Sequence, residues 1–191
     1  EANGNSLQDA KLYRALFPAM IASWRQLWGE ELPFYFVQLP GFAGKPGLWM
    51  TLRESQLETW RKTPGTGMAV TIDVGNPQNI HPKNKLPVGL RLARIARAQV
   101  YGEDIAYSGP LFQKMTLEDD KVRLYFDYTD EGLVAADGEL AGFEIAGSDG
   151  IYHSAEAEIS GDTVLVWSAE IPNPVSVRYA WSDVPVASLW N

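Results

Sequence analysis

The chain has 191 residues, 46% of them apolar and 21% charged, which gives enough length for one large domain or two small ones and excludes disorder as its main state. Its formal charge of -8 argues against nucleic acid as a partner, and no run of 18 or more apolar residues or charged-then-apolar N-terminal segment marks a membrane span or an uncleaved secretory signal. Cysteine is absent, so disulfides, thiolate zinc sites and cysteine nucleophiles are excluded, and His81 and His153 are the two side chains that ordinarily titrate near neutrality.

Charge divides the chain unevenly. Residues 1–105 carry 12 Lys and Arg against 9 Asp and Glu, whereas residues 106–191 carry 4 against 15, so two regions of different chemistry meet near Tyr101 to Pro110.

In the first region, Tyr13, Phe17, Met20, Ile21, Trp24, Leu27 and Trp28 recur at helical spacing behind Ser6 and Asp9, which are placed like a capping box. Pro18 predicts a break, with a short helix ending near Phe17 and a longer one running to Trp28 and stopped by Gly29. Phe34 to Leu39, between two prolines, reads as a buried strand, and Pro40 to Gly47 as a loop through which a substrate could enter. A second helix follows from Leu48 to Arg61, with Trp49, Leu52, Gln56 and Trp60 along one side. Gly67 to Val74 then reads as a strand covered on both faces. The stretch from Gly75 to Pro82 is too rich in turn residues for regular structure, and Pro87 suits the first turn of a third helix with Val88, Leu92, Ile95, Ala96 and Val100 as its buried stripe. This order is half of a doubly wound α/β sheet, and two strands alone do not make a covered parallel sheet, so further strands are expected from outside this chain.

The second region changes to a period of two. Strands are predicted at Gly109 to Leu117, around Val122 to Tyr128, and at Leu140 to Ala146, Ile151 to Ile159, Thr163 to Ala169 and Val175 to Trp181, as an antiparallel sandwich.

His81 is the foremost candidate for chemistry. It follows a buried strand and precedes a helix, where side chains reach the crevice at the carboxyl ends of strands, and it suits a general base for a serine nucleophile; the alternative is a polar loop histidine with no role. Asp73 stands where it could orient that imidazole or cap the loop. His153 reads as a surface or satisfied sheet histidine, and Ala146-Gly147-Ser148-Asp149-Gly150 as a hairpin turn rather than a nucleophile elbow. The charges of Arg53-Glu54 fit a solvated helix face. Trp49 and Trp60 are either sugar platforms or core residues, the core being the usual fate of a helical tryptophan. No metal or cofactor is implied, since two distant histidines make poor ligands.

Several segments together resemble the sialate O-acetylesterase family, carbohydrate esterases of the serine-dependent SGNH hydrolase type. They are Glu1-Ala2-Asn3, Leu16-Phe17-Pro18, Trp24-Arg25, Trp28-Gly29, Val37-Gln38-Leu39, Leu52-Arg53-Glu54-Ser55-Gln56, Ile80-His81-Pro82-Lys83-Asn84-Lys85, Arg91-Leu92-Ala93, Gly142-Phe143-Glu144-Ile145-Ala146-Gly147 and Val177-Arg178-Tyr179-Ala180-Trp181. The resemblance implies an α/β fold in which residues 1–105 form the C-terminal half of an SGNH-hydrolase-like αβα sandwich and residues 106–191 an antiparallel β-sandwich region. It implies that His81 is the catalytic base and that the nucleophilic serine comes from an N-terminal segment of the same enzyme, of which this chain is the C-terminal portion. Glu1 corresponds to the glutamate of a Gln-Gly-Glu motif and Asn3 to a polar residue near the oxyanion hole. The expected activity is removal of acetyl groups from sialic acid or plant glycans, in a periplasmic or secreted enzyme. Arg53 is a candidate to bind a sialic acid carboxylate. Where SGNH hydrolases place an aspartate before the histidine, this chain has Gln78 and Asn79, so a backbone carbonyl within Asn76 to Asn79 is the expected holder of the imidazole. The competing reading is a non-catalytic carbohydrate-binding or scaffold fragment.

Overall fold

The computed structural model describes residues 7–44 and 47–191; Glu1, Asn3 and Ser6, with the expectations placed on them, lie outside the described residues. The chain divides into two compact units, one formed by Glu1–Tyr107 with Ser182–Val184, the other by Ser108–Trp181 with Pro185–Asn191.

The first unit opens with helix α1, Leu7–Trp28, which runs through Pro18 without a break. A proline removes one backbone donor and crowds the preceding turn, but packing on either side outweighs that cost here. Phe17 and Ile21 are buried against Phe36 and Met68, and Tyr13 stacks on Phe17 with ring centroids 5.2 Å apart. The end of α1 is held by Arg25, whose Nε donates to the Leu32 carbonyl at 3.0 Å and whose Nη2 donates to the Gly65 carbonyl at 3.1 Å.

Strands β1, Phe34–Val37, and β2, Thr66–Ala69, pair in parallel with Phe36 opposite Met68 and Tyr35 opposite Gly67. Alternation sends Phe34, Phe36 and Met68 toward α1, while a Cβ built on Gly67 would meet the Ile95 Cγ2 of the third helix. Helices therefore cover both faces of this short sheet. The second strand is shorter than the predicted Gly67 to Val74 because side chains take over from the ladder: the Thr71 hydroxyl donates to the Gln38 carbonyl at 2.6 Å, and Arg91 Nη1 donates to the Val70 carbonyl at 2.6 Å.

Helix α2, Trp49–Lys62, lies between the two strands in sequence and buries Trp49, Leu52, Arg53, Ser55, Gln56 and Thr59. Gln56 completes the sheet where β1 ends, its Oε1 accepting from the Leu39 amide at 2.9 Å and its Nε2 donating to the Val37 carbonyl at 3.3 Å. Helix α3, Leu86–Gln99, has Pro87 in its first turn; of the stripe expected to be buried, only Ile95 is fully so, and Val100 is exposed.

The second unit is all-β. Strands β3 (Leu111–Glu118), β4 (Lys121–Asp127), β8 (Glu156–Ser160) and β9 (Thr163–Trp167) form one antiparallel sheet in the order β3-β4-β9-β8. Strands β6 (Phe143–Ala146), β7 (Tyr152–Ser154) and β10 (Ser176–Tyr179) form another in the order β10-β6-β7. Val122, Leu124, Val164 and Val166 of the first sheet share a core with Phe143 and Ile145 of the second. The predicted strand Ile151 to Ile159 is two strands in different sheets, the chain crossing over at Ala155. Two short elements had no readable period: β5, Val134–Ala135, pairs with β11, Leu189–Trp190. That C-terminal strand is fixed by Tyr179, whose Oη accepts from the amides of Ser188 at 2.7 Å and Leu189 at 2.9 Å. Gly147 to Gly150 makes the β6–β7 hairpin, with the Gly150 amide donating to the Gly147 carbonyl at 3.1 Å.

Candidate active site

His81 lies in the irregular connection between β2 and α3, at the carboxyl end of β2. Three asparagines shape this connection, each by turning its side-chain oxygen back onto the chain. Asn76 Oδ1 accepts from the amides of Gln78 at 2.8 Å and Asn79 at 3.1 Å, Asn79 Oδ1 accepts from the His81 amide at 2.9 Å, and Asn84 Oδ1 accepts from the Leu86 amide at 3.3 Å. Successive turns of this kind fix the backbone without a regular element, which is why the segment reads as turn-rich and yet holds a defined position.

The imidazole itself is exposed and lines an open depression of about 350 Å³ together with Val74, Gly75, Asn76, Asn79, Lys83 and Asn84. Among the described residues the ring has no hydrogen-bond partner, so neither a carboxylate nor the expected backbone carbonyl within Asn76 to Asn79 holds its tautomer. The Asn76 carbonyl instead accepts from the Asn79 amide at 3.2 Å.

Asp73 is not the orienter. Its two carboxylate oxygens receive Arg91 Nη1 at 2.7 Å and Nη2 at 2.6 Å, a two-pronged ion pair that ties the exit of β2 to α3. The pair anchors the base of the His81 connection from one side.

From the other side, the Ala43 amide donates to the Pro77 carbonyl at 3.0 Å. Gly75 sits so close to Gly41 that a Cβ there would stand 2.5 Å from both its nitrogen and its oxygen. The glycine at 75 is thus required for two backbones to pass at van der Waals distance.

Arg53 stands apart from the depression. It is only 5% exposed, its Nη2 donates to the Ser182 carbonyl, and burial pushes its guanidinium down to about 10 against the opposing pull of Asp183. The cation that does line the depression is Lys83. Trp49 is buried with its indole N–H donating to the Pro40 carbonyl, and Trp60 packs against the core of Phe17, Ile21, Phe36 and Met68, so both serve packing. His153, in the second unit, pairs through Nδ1 with Glu170 Oε2 at 2.6 Å, as a satisfied sheet histidine does. Sequence reasoning missed Asn76 and Asn79 as the residues that shape the site; the signal was their position two or three residues before the amides they accept from.

No protein-family model matches the sequence. The chain is 32% identical over 211 aligned residues to the sialate O-acetylesterase of Rattus norvegicus, with 97% of this chain and 38% of that protein covered. Against the sialate O-acetylesterase of Mus musculus the identity is 30%, with 97% and 39% covered. Among solved structures, a carbohydrate acetylesterase from Xanthomonas citri superimposes with a TM-score of 0.91 at 44% identity, over 96% of this chain and 44% of that one. The chain spans about two fifths of the length of these curated relatives.

Proposed function

Because the chain belongs, over the stretch it spans, to the sialate O-acetylesterase family, we propose that it is the histidine-bearing part of a serine-dependent carbohydrate O-acetylesterase. The observation that carries this reading is the placement of His81: an exposed imidazole with no partner among the described residues, on a backbone fixed by asparagine turns and anchored from two sides. A loop histidine with no role needs no such fixing.

In this reading a serine alcohol from the rest of the enzyme stands opposite His81. The imidazole takes the hydroxyl proton as the oxygen attacks the acetyl carbonyl, and the proton passes to the departing sugar oxygen as the ester bond breaks. Water then repeats the sequence on the acyl-enzyme and releases acetate, with His81 again relaying the proton. Asn3 is proposed among the donors that stabilise the oxyanion, where hydrogen bonds contribute most because negative charge accumulates there. Acetylated sialic acids and acetylated plant glycans are the two substrate classes proposed, and Lys83, which lines the depression, is a cation that would favour a carboxylate-bearing sugar.

The first unit is proposed as the C-terminal half of an SGNH-type αβα sandwich. Two features support this: helices on both faces of a two-stranded parallel sheet, and apolar side chains left exposed on those helices, namely Leu12 and Leu16 on α1 and Leu86 and Leu90 on α3. Strands added to the sheet would cover such surface.

The test is acetate release by the full-length enzyme from a panel of acetylated sialic acids and neutral glycans. His81→Ala should lower turnover by about three orders of magnitude or more with circular dichroism unchanged. Turnover equal to that of the parent enzyme would overturn the proposal.

A further inference from the structure

The segment Ser182–Val184 follows β10 in the chain but belongs to the first unit, and it meets the loop before α2 through several polar contacts. Helix α2 begins at Trp49 with Leu48 in the capping position, and leucine supplies no side-chain acceptor for the free amides of the first turn. Asp183 supplies it from 134 residues away in sequence: Oδ1 accepts from the Trp49 amide at 3.3 Å, and Oδ2 accepts from the Gly47 amide at 2.9 Å. The same residue's backbone carbonyl accepts from the Phe42 amide at 3.0 Å, and Arg53, one turn into α2, donates to the Ser182 carbonyl.

These contacts continue to His81. Phe42, held by Asp183, is followed by Ala43, whose amide donates to the Pro77 carbonyl, and Gly41 lies against both Val184 and Gly75. Pro77 and Gly75 belong to the connection that Asn76 and Asn79 fold around His81. The path from Asp183 to the His81 backbone thus runs through backbone hydrogen bonds and contacts as far as Gly75 and Pro77, and through the Asn76 and Asn79 side-chain turns from there.

We propose that Asp183 is a positioning residue: its carboxylate clasps the start of α2 and so keeps its backbone carbonyl on the Phe42 amide, which sets the place of the His81 connection. This role rests on His81 being the catalytic base, and it extends that reading to a residue near the far end of the chain. A carboxylate suits the task because it accepts two amides at once and complements the positive end of the α2 dipole.

The experiment has two readouts. In the full-length enzyme, amide hydrogen exchange and the NMR signals of the His81 ring are compared for the parent, Asp183→Ala and Asp183→Asn. Loss of the carboxylate releases Gly47 and Trp49 and leaves the Phe42 bond to the backbone carbonyl at 183 to hold the two segments together, so exchange should speed on the order of tenfold at Trp49 and also at Ala43, and the His81 signals should shift. Asp183→Asn, which keeps one acceptor oxygen, should lie between parent and alanine variant, and it serves as the measurement should the alanine variant fail to fold. In the full-length enzyme the same substitutions should lower kcat by roughly tenfold to a hundredfold with KM nearly unchanged, the effect of a misplacement of about 1 Å.

Faster exchange confined to Trp49, with Ala43 and His81 unmoved, would overturn the proposal and leave Asp183 as a helix cap only. If His81→Ala itself left turnover intact while Ala43 and His81 responded to Asp183, the clasp would stand and the esterase reading would fall.

Discussion

Replacing Gly75 with alanine tests whether the two loops are as tightly apposed as their contacts imply. The backbone at Gly75 does not have a positive φ, so the substitution meets no conformational penalty and its whole effect comes from space. The added methyl would stand 2.5 Å from Gly41 N and O and 2.9 Å from Gly41 Cα, where non-bonded heavy atoms settle near 3.5–4.0 Å. The neighbouring atoms are backbone, so relief requires the two loops to separate by about 1 Å, which stretches the Ala43–Pro77 hydrogen bond. Overpacking of this kind costs about 1–3 kcal/mol, and with a urea dependence of about 2 kcal/mol/M it should lower the unfolding midpoint by roughly 0.5–1.5 M. Four of the seven tryptophans, Trp24, Trp28, Trp49 and Trp60, lie in the first unit and report its unfolding by fluorescence. Gly89→Ala is the matched control: it sits inside α3, a Cβ there meets nothing within 4 Å, and it should stabilise by about 0.5–1 kcal/mol. Equal midpoints for the parent and Gly75→Ala, with Ala43 exchange unchanged, would refute the close packing on which the site's rigidity depends.

Two further outcomes concern the second unit. Tyr179→Phe removes the oxygen that accepts the Ser188 and Leu189 amides, so urea unfolding should show a loss of about 1–3 kcal/mol; a loss below about 0.5 kcal/mol would mean that the two amides find other partners. The Arg123 guanidinium, hydrogen-bonded to Glu118, holds that carboxyl below its usual 4.5. A depressed folded-state value means that the pair's contribution is present above the ordinary carboxylate range and is lost as pH falls through the folded value. In an NMR titration Arg123→Gln should return Glu118 toward 4.5, and an unmoved midpoint would assign the depression to another neighbour.

Where periodicity governed, sequence and structure agree. The apolar spacing of α1 and the alternation of Val122, Leu124 and Phe126 each mark a face that must be buried, and those faces form the cores of the two units. The departures come from tertiary contacts that local pattern does not encode. Pro18 predicts a break, yet the aromatic contacts of Phe17 with Tyr13, Phe34 and Phe36 on α1's buried side hold the helix together across it. The split of Ile151 to Ile159 into β7 and β8 depends on which sheet has room for each half. Val134–Ala135 and Leu189–Trp190 are too short to show any period, and they pair only because Tyr179 and Ser188 bring them together.

The site was readable in the same uneven way. His81 is conspicuous because a histidine in a turn between a buried strand and a helix is chemically available, and the structure leaves its ring exposed. What holds it was not readable, since each support joins residues distant in sequence. Asp73 pairs with Arg91, 18 residues on; Ala43 reaches Pro77; and Asp183 caps a helix that begins 134 residues earlier. Arg53 carried the opposite lesson: a charge on a helix predicts a solvated face, but here the guanidinium is buried and donates to a backbone carbonyl. A loop of successive turns, such as the one that carries His81, cannot draw rigidity from its own hydrogen-bond ladder. It has to import rigidity from elsewhere in the fold, and the residues that supply it are then identified by contacts in space rather than by neighbourhood in sequence.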